Sequence, residues 1–201
     1  GPVGVTLPGE VLNYEPVTAE MLRNPDPNDW LMIRGNQSAH NYSNLDQINR
    51  DNVDEIRLQW VWSMPDGTNQ TAPIVHNGIL YLFNPTNIVQ ALEATTGELI
   101  WENRLGGRSG TMRGLAIWDD KIIANTPDAR IVALSAINGE QIWEASIGDG
   151  FGNSSGPLVA DGKIFTGMGG CTRFREEKCY VSAYDADDGS LLWQFLTVAK
   201  E

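Results

Sequence analysis

An eleven-residue phrase occurs three times in this chain of 201 residues: "ALEATTGELIW" over 91–101, "ALSAINGEQIW" over 133–143 and "AYDADDGSLLW" over 183–193. A phrase that returns after some tens of residues marks one supersecondary unit stacked on copies of itself, and the spacing restricts which unit it is. Gly97 and Gly139 are 42 residues apart and Gly139 and Gly189 are 50 apart, with the eight extra positions lying around two cysteines. Extending outward from the phrase gives three longer units, 72–105, 114–148 and 156–198.

Within each unit the apolar residues fall in short bursts. The turn signals "NG", "DD" and "DG" precede "ILYLF", "KIIAN" and "KIFTG", and "TTG", "ING" and "DDG" precede the Trp-bearing burst. Bursts rich in Ile, Val, Leu and Tyr, with no amphipathic run of helical length, predict antiparallel strands joined as hairpins. Four strands in a period near 42 is the arithmetic of a propeller blade, so the expected fold is all-β, a β-propeller of four-stranded blades. The shared glycine suits a turn that needs positive φ, and the Trp four residues later is large enough to fill the wedge between blades. Trp101, Trp143 and Trp193 are therefore expected to pack blades rather than touch a ligand.

The first 71 residues are different. Residues 1–27 carry Pro2, Pro8, Pro16, Pro25 and Pro27 with little periodicity, which predicts an extended arm with one helical turn near "TAEMLRN". Residues 28–71 form a lead-in: a Trp, a loop rich in Asn and Ser, a short helical turn around "DNVDEI", and a strand ending at Trp62. His40 lies in that loop and is expected to be solvated or hydrogen-bonded, without a functional role. Three units and a lead-in do not close a ring, since propellers use about four to eight blades. The expectation is that the rest of the propeller is not in this chain, or that a second chain completes it.

Charge narrows the partners. Lys and Arg total 14 against 26 for Asp and Glu, a net charge of −12 spread along the chain, which opposes binding to nucleic acid. No apolar run approaches the ~20 residues of a membrane-spanning helix. The first residue is Gly1 rather than Met, so a secretory leader is expected to have been removed. Cys171 and Cys179 flank "TRFREEK". A hairpin brings such a pair within the ~5.5 Å Cα separation of a bridge, so a cross-strand disulfide formed in an oxidising compartment is expected. Two unpaired thiols, one of them buried, is the other reading.

The repeated A-x-(D/E/S)-A-x-x-G-x-x-x-W, the lead-in "NDWLMIRGNQSAHNYSNLDQINRDNV", "MRGLAIWDDKI" between the first two units and "GMGG" ahead of "YVSAYDADDG" together resemble the amino-terminal part of the pyrroloquinoline quinone (PQQ)-dependent alcohol dehydrogenases. The resemblance runs over residues 28–201, about the first third of such an enzyme. It implies a periplasmic quinoprotein with an eight-bladed propeller, of which these units are the first three to four blades. It further implies PQQ on the central axis with Ca²⁺ or a lanthanide, oxidation of an alcohol to an aldehyde or ketone, and electron transfer to a cytochrome c. The family's catalytic Asp belongs to later blades, so no catalytic residue is expected in this chain.

Carried over residue by residue, the resemblance makes Arg113, directly before "GLAIW", the cofactor-binding arginine. A guanidinium suits the three carboxylates of PQQ because it offers paired, charge-assisted hydrogen bonds. Gln70 in "NQTAPIV" stands where the family has an acid or amide that reaches the quinone, and Ser154 in "GNSSGPLV" where a hydroxyl touches a carboxylate, with Ser155 as its competitor. Gly169 and Gly170 would let the backbone approach a flat ligand closely.

Two positions depart from the family. The adjacent cysteines that usually precede the arginine are replaced by "GGRSGTM", and the metal-binding Glu of "GGAE" is replaced by Thr172 in "GGCTRFREEKC". A neutral hydroxyl is a poor ligand for a hard cation, and Glu176 or Glu177 of the insert are the nearby alternatives. These departures keep a second reading open, a non-catalytic propeller scaffold that binds proteins. The chain has no G-x-S-x-G, no Walker-type phosphate loop, no H-E-x-x-H and no CxxC. "LGGRSG" follows a Trp-bearing strand and lacks the helix that would present amides to a phosphate.

Overall fold

The computed structural model describes residues 1–148, 153–172 and 175–198. A short strand β1 (Gly4–Leu7) and a one-turn helix α1 (Ala19–Arg23) precede the repeats. The first unit forms β2 (Ile74–His76), β3 (Ile79–Asn84), β4 (Ile88–Glu93) and β5 (Leu99–Arg104). The second forms β6 (Leu115–Trp118), β7 (Lys121–Asn125), β8 (Arg130–Ser135) and β9 (Gln141–Ser146), and the third β10 (Leu158–Ala160), β11 (Lys163–Gly167), β12 (Tyr180–Asp185) and β13 (Leu191–Leu196). Each unit is an antiparallel meander, in the order β6-β7-β8-β9 for the second and β10-β11-β12-β13 for the third. The first sheet has five strands rather than four, because β1 of the arm pairs antiparallel with the outer strand β5.

The repeated glycines show how the sheets stack. Gly97, Gly139 and Gly189 all have φ near the left-handed region, at +73°, +73° and +75°. Each carries an indole of the preceding segment against its Cα: Trp60 on Gly97, Trp101 on Gly139 and Trp143 on Gly189. A side chain at these positions would intrude into the ring, with a Cβ on Gly139 only 2.5 Å from Trp101 Cε3. Glycine is thus required twice over, for the turn and for the close approach. Trp101 is fully buried, and its Nε1 donates to the carbonyl of Ala136 at 3.2 Å. Trp193 is 44% exposed, because among the described residues no further glycine turn covers it.

Trp60 is a blade-packing tryptophan that the repeated phrase does not mark. Its Nε1 donates to the carbonyl of Ala94 at 3.1 Å, the position one 42-residue period before Ala136. The lead-in contains a 3-10 turn over Val53–Glu55, but the strand expected to end at Trp62 is absent from the sheets. An extended segment is a strand only when a neighbour completes its ladder, and none of the described residues does so.

The arm is bound to all three units. The backbone N–H of Val11 donates to the carbonyl of Ile137, and Val17 exchanges backbone hydrogen bonds with Asp119. Arg23 pairs with Asp161 at 2.8 Å. Asn77, Asp119 and Asp161 occupy the same turn in successive units, each with positive φ (+49°, +52° and +46°), and the arm touches each of them.

At the opposite end of the inner strands the units converge. Ala72 and Gly114 form a parallel bridge, and a Cβ on Gly156 would lie 2.8 Å from Gly114 Cα. Ala72, Gly114 and Gly156 are spaced by 42 residues, so this close approach repeats with the sequence. It gathers the residues just before each inner strand at one end of the blades.

Candidate functional site

Arg113 and Ser154 meet at that end. Arg113 Nη1 donates to Ser154 Oγ at 2.6 Å and to the Ser154 carbonyl at 3.1 Å, bridging the approaches to β6 and β10. Ser154, Gly169 and Gly170 line one open groove of about 260 Å³ together with Arg108, Ser109, Thr111 and Asn153. Gly170 has φ of +89°, a conformation that a side chain would strain. Gln70 is exposed two residues ahead of the Ala72 bridge and is not part of this lining. The structure thus places Ser154, Gly169 and Gly170 in one lining, ties Arg113 to it through Ser154, and leaves Gln70 outside it.

Beneath the groove runs a buried amide network. Asn153 Nδ2 donates to Thr166 Oγ1 at 2.7 Å and to the Gly167 carbonyl at 2.6 Å, while its Oδ1 accepts from the backbone N–H and hydroxyl of Ser155 at 2.8 and 2.6 Å. Asn125 Nδ2 donates to Thr166 Oγ1 at 2.8 Å and to the Ser155 carbonyl at 3.1 Å. The residue beside Ser154 is therefore fixed from below by two side chains, Asn125 of β7 and Asn153 of its own loop, which Thr166 of β11 ties together. Asn125 Oδ1 is buried without a partner among the described residues, which leaves an acceptor for a bound water or ligand donor.

A second set of contacts fixes the other wall. Asn87 Nδ2 donates to the carbonyls of Gly106 and Arg108 at 2.7 and 3.0 Å, and Arg130 Nη2 to those of Leu105 and Gly106 at 3.2 and 3.3 Å. Arg130 also pairs with Asp128 at 3.2 Å and Glu144 at 3.0 Å. Burial raises the Asp128 pKa, but hydrogen bonds from Thr126 and Arg130 outweigh it and hold the carboxyl below its ordinary range.

None of these support residues was marked by the repeats. The available signal was an Asn or Thr interrupting an apolar burst, as in "KIIAN" and "KIFTG". A polar side chain that ends a buried strand needs a partner, and here the partner is 41 residues away.

Cys171 and Cys179 are joined by a disulfide in the connection between β11 and β12, with Cα atoms 4.6 Å apart. Thr172 is exposed next to Cys171, and Glu176 and Glu177 sit in a 3-10 turn before Cys179. No group of three or more His, Cys, Asp or Glu suited to a metal occurs among the described residues. His40 is exposed on the lead-in loop. The other histidine, His76, is buried at the arm's end of the blades, between Asp29 and the Glu15 carbonyl, both at 2.8 Å.

Residues 30–201 match the family described as PQQ, glucose/ethanol/alcohol dehydrogenase, beta-propeller domain. The dehydrogenase subunit of alcohol dehydrogenase (quinone) from Gluconobacter oxydans (strain 621H) is 33% identical over 191 residues, which cover 86% of this chain and 25% of that protein. The solved structure of quinohemoprotein alcohol dehydrogenase ADHIIG from Pseudomonas putida HK5 superposes with a TM-score of 0.79 at 28% identity, covering 97% of this chain and 30% of that one. A europium-containing methanol dehydrogenase superposes with a TM-score of 0.76 at 28% identity, covering 85% and 32%. The chain spans about a quarter to a third of the length of these proteins.

Proposed function

The chain belongs to the PQQ family of glucose/ethanol/alcohol dehydrogenase β-propeller domains, and we propose that it forms the amino-terminal part of a PQQ-dependent dehydrogenase that oxidises an alcohol to an aldehyde or ketone. In this reading a cytochrome c is the electron acceptor and the compartment is the periplasm, where the Cys171–Cys179 disulfide persists. The observation that carries it is the Arg113–Ser154 pair at the convergent end of the inner strands.

The described residues fit PQQ. Among the described residues the groove is lined by hydrogen-bond donors, glycine backbone and Pro127, with no carboxylate, the chemistry expected for a flat ligand that bears carboxylates. Arg113 and Ser154 would bind and orient one edge of it, and Gly169 and Gly170 would admit its face, while Gln70 lies outside this lining. The amides of Asn125 and Asn153 hold Ser155, and with it Ser154, in register. When bound, PQQ accepts the two electrons released by the alcohol, and the protein's share is to position the ring and exclude water.

The described residues do not fit a metal. Thr172 offers a single neutral oxygen, and no carboxylate cluster accompanies it. In this proposal Ca²⁺ or a lanthanide takes its ligands, and the reaction its base, from residues other than those described. The same absence favours the alternative, a propeller that binds proteins without turnover.

Titration of the intact protein with PQQ, followed by tryptophan quenching with and without Ca²⁺ or a lanthanide, tests the proposal. Stoichiometric binding that weakens in Arg113→Ala, with alcohol-dependent dye reduction by the loaded protein, supports the dehydrogenase. Absence of PQQ binding under every metal condition would establish the scaffold instead.

A further inference from the structure

One guanidinium lines the groove, and its charge meets no partner among the described residues. We propose that Arg108 is a further cationic contact for the carboxylates of the bound cofactor, an assignment that rests on the PQQ reading above. Arg108 lines the groove with Ser154, Gly169 and Gly170. Its guanidinium has no ion pair and no hydrogen bond among the described residues, as is also true of Arg34 and Arg50, but of these three only Arg108 lines the groove.

The lining is free of acids in an acidic chain. The net charge is −12, yet the nine residues that line this groove include one Arg and no Asp or Glu. A recess with one cation and no carboxylate in its described lining attracts anions.

The loop that carries Arg108 is held in place. Its own carbonyl and that of Gly106 accept from Asn87 Nδ2, and the Leu105 N–H donates to the Asn87 carbonyl at 2.9 Å. Asn87 is fully buried, so this anchor belongs to the core and not to the surface. Gly107 has φ of +75°, and a Cβ there would run into the Asp128 carboxylate, so the backbone is pressed against the turn that precedes β8. With the backbone fixed, only the side chain of Arg108 has to order on binding, which reduces the entropic cost of the contact.

Arg108 and Arg113 approach from different supports. Arg113 stands at the start of β6 and bridges to the third unit, while Arg108 stands in the connection between β5 and β6 and is pinned from the first. In this proposal a ligand with several carboxylates meets Arg108 in the groove and Arg113 beside Ser154, whereas a monocarboxylate meets one of them.

The test compares the intact protein with Arg108→Ala and Arg108→Lys, titrated with PQQ and with its neutral trimethyl ester. Arg108→Ala should weaken PQQ binding by about 10- to 100-fold, the range for a lost charge-assisted hydrogen bond. Arg108→Lys should recover part of that loss, because it restores the charge without the planar fork. The ester should bind both forms within about a factor of three, since it presents no charge for the guanidinium to meet. If the wild type binds PQQ and Arg108→Ala binds it equally well, Arg108 is a solvated surface residue and the assignment fails while the cofactor reading stands. If the wild type binds neither compound, the cofactor reading itself fails and Arg108 loses its role with it.

Discussion

Arg113 Nη1 and Ser154 Oγ are 2.6 Å apart, and the same Nη1 reaches the Ser154 carbonyl at 3.1 Å. One guanidinium nitrogen thus serves two acceptors on a neighbouring unit, which leaves the rest of the planar fork for a ligand. Ser154→Ala removes the hydroxyl acceptor and leaves the carbonyl, so Arg113 should stay in place more loosely. PQQ affinity of the intact protein is expected to fall by about 3- to 10-fold, and in Arg113→Ala by about 10- to 100-fold. Tryptophan-quenching titrations of both variants check this. Equal affinities for wild type and Arg113→Ala would remove the pair from the binding site.

Asn153 separates a structural role from an electrostatic one. Asn153→Ala removes the acceptor of the Ser155 N–H and one donor to the Gly167 carbonyl, which Thr166 Oγ1 also reaches at 3.4 Å, and should cost about 1–3 kcal/mol of stability. Asn153→Asp keeps the acceptor for Ser155 but loses both donated bonds and adds a negative charge to the groove wall. PQQ binding should therefore fall further in Asn153→Asp than in Asn153→Ala. Urea unfolding and PQQ titration of the two variants give the comparison, and the reverse order of affinities would show that the network only supports the loop.

The repeated glycines predict a graded stability series. Gly139 and Gly78 both have positive φ, +73° and +75°, but a Cβ on Gly139 meets the Trp101 ring at 2.5 Å whereas one on Gly78 meets nothing within 4 Å. Gly78→Ala should cost only the backbone strain, about 1–2 kcal/mol. Gly139→Ala should add the displacement of a buried indole, for a total of about 2–5 kcal/mol. Equal unfolding midpoints for the two variants would mean that Trp101 shifts freely, against its complete burial.

The blades were legible because their geometry needs the same two residues each time. A left-handed turn calls for glycine, and the wedge beside it calls for a tryptophan, so the period is written in rare residues. The arm's path was not legible, since Val11, Val17 and Glu15 engage the blades through backbone atoms that any residue carries. Trp60 escaped notice because the sheet strands that would repeat its phrase do not precede it. At the candidate site, Arg113 and Ser154 were marked by their place before inner strands. Asn125 and Asn153 were not, because their buried amides are explained only by Thr166, a partner distant in sequence.

His76 makes stability depend on pH at the other end of the blades. Its Nε2 faces the Glu15 carbonyl, which only accepts, and its Nδ1 faces the Asp29 carboxylate, which as an anion also only accepts. Both ring nitrogens must therefore donate, and the imidazolium is the form that fits. Burial pulls the imidazole pKa down, but the hydrogen bonds to Asp29 and to the Glu15 carbonyl outweigh it, so the folded value lies above the ordinary 6.5. A raised folded pKa contributes stability that is complete below 6.5 and is lost as the pH climbs through the folded value. The arm is the segment that should feel the change, because Glu15 and Asp29 tie it and the lead-in to β2. His76→Gln cannot take up the proton, so its stability deficit, about 1–3 kcal/mol at pH 6, should shrink as the pH rises towards 9. Unfolding midpoints of the wild type and His76→Gln across that range measure the deficit. A deficit that stays constant with pH would mean that folding takes up no proton at His76, and the imidazolium reading would fail.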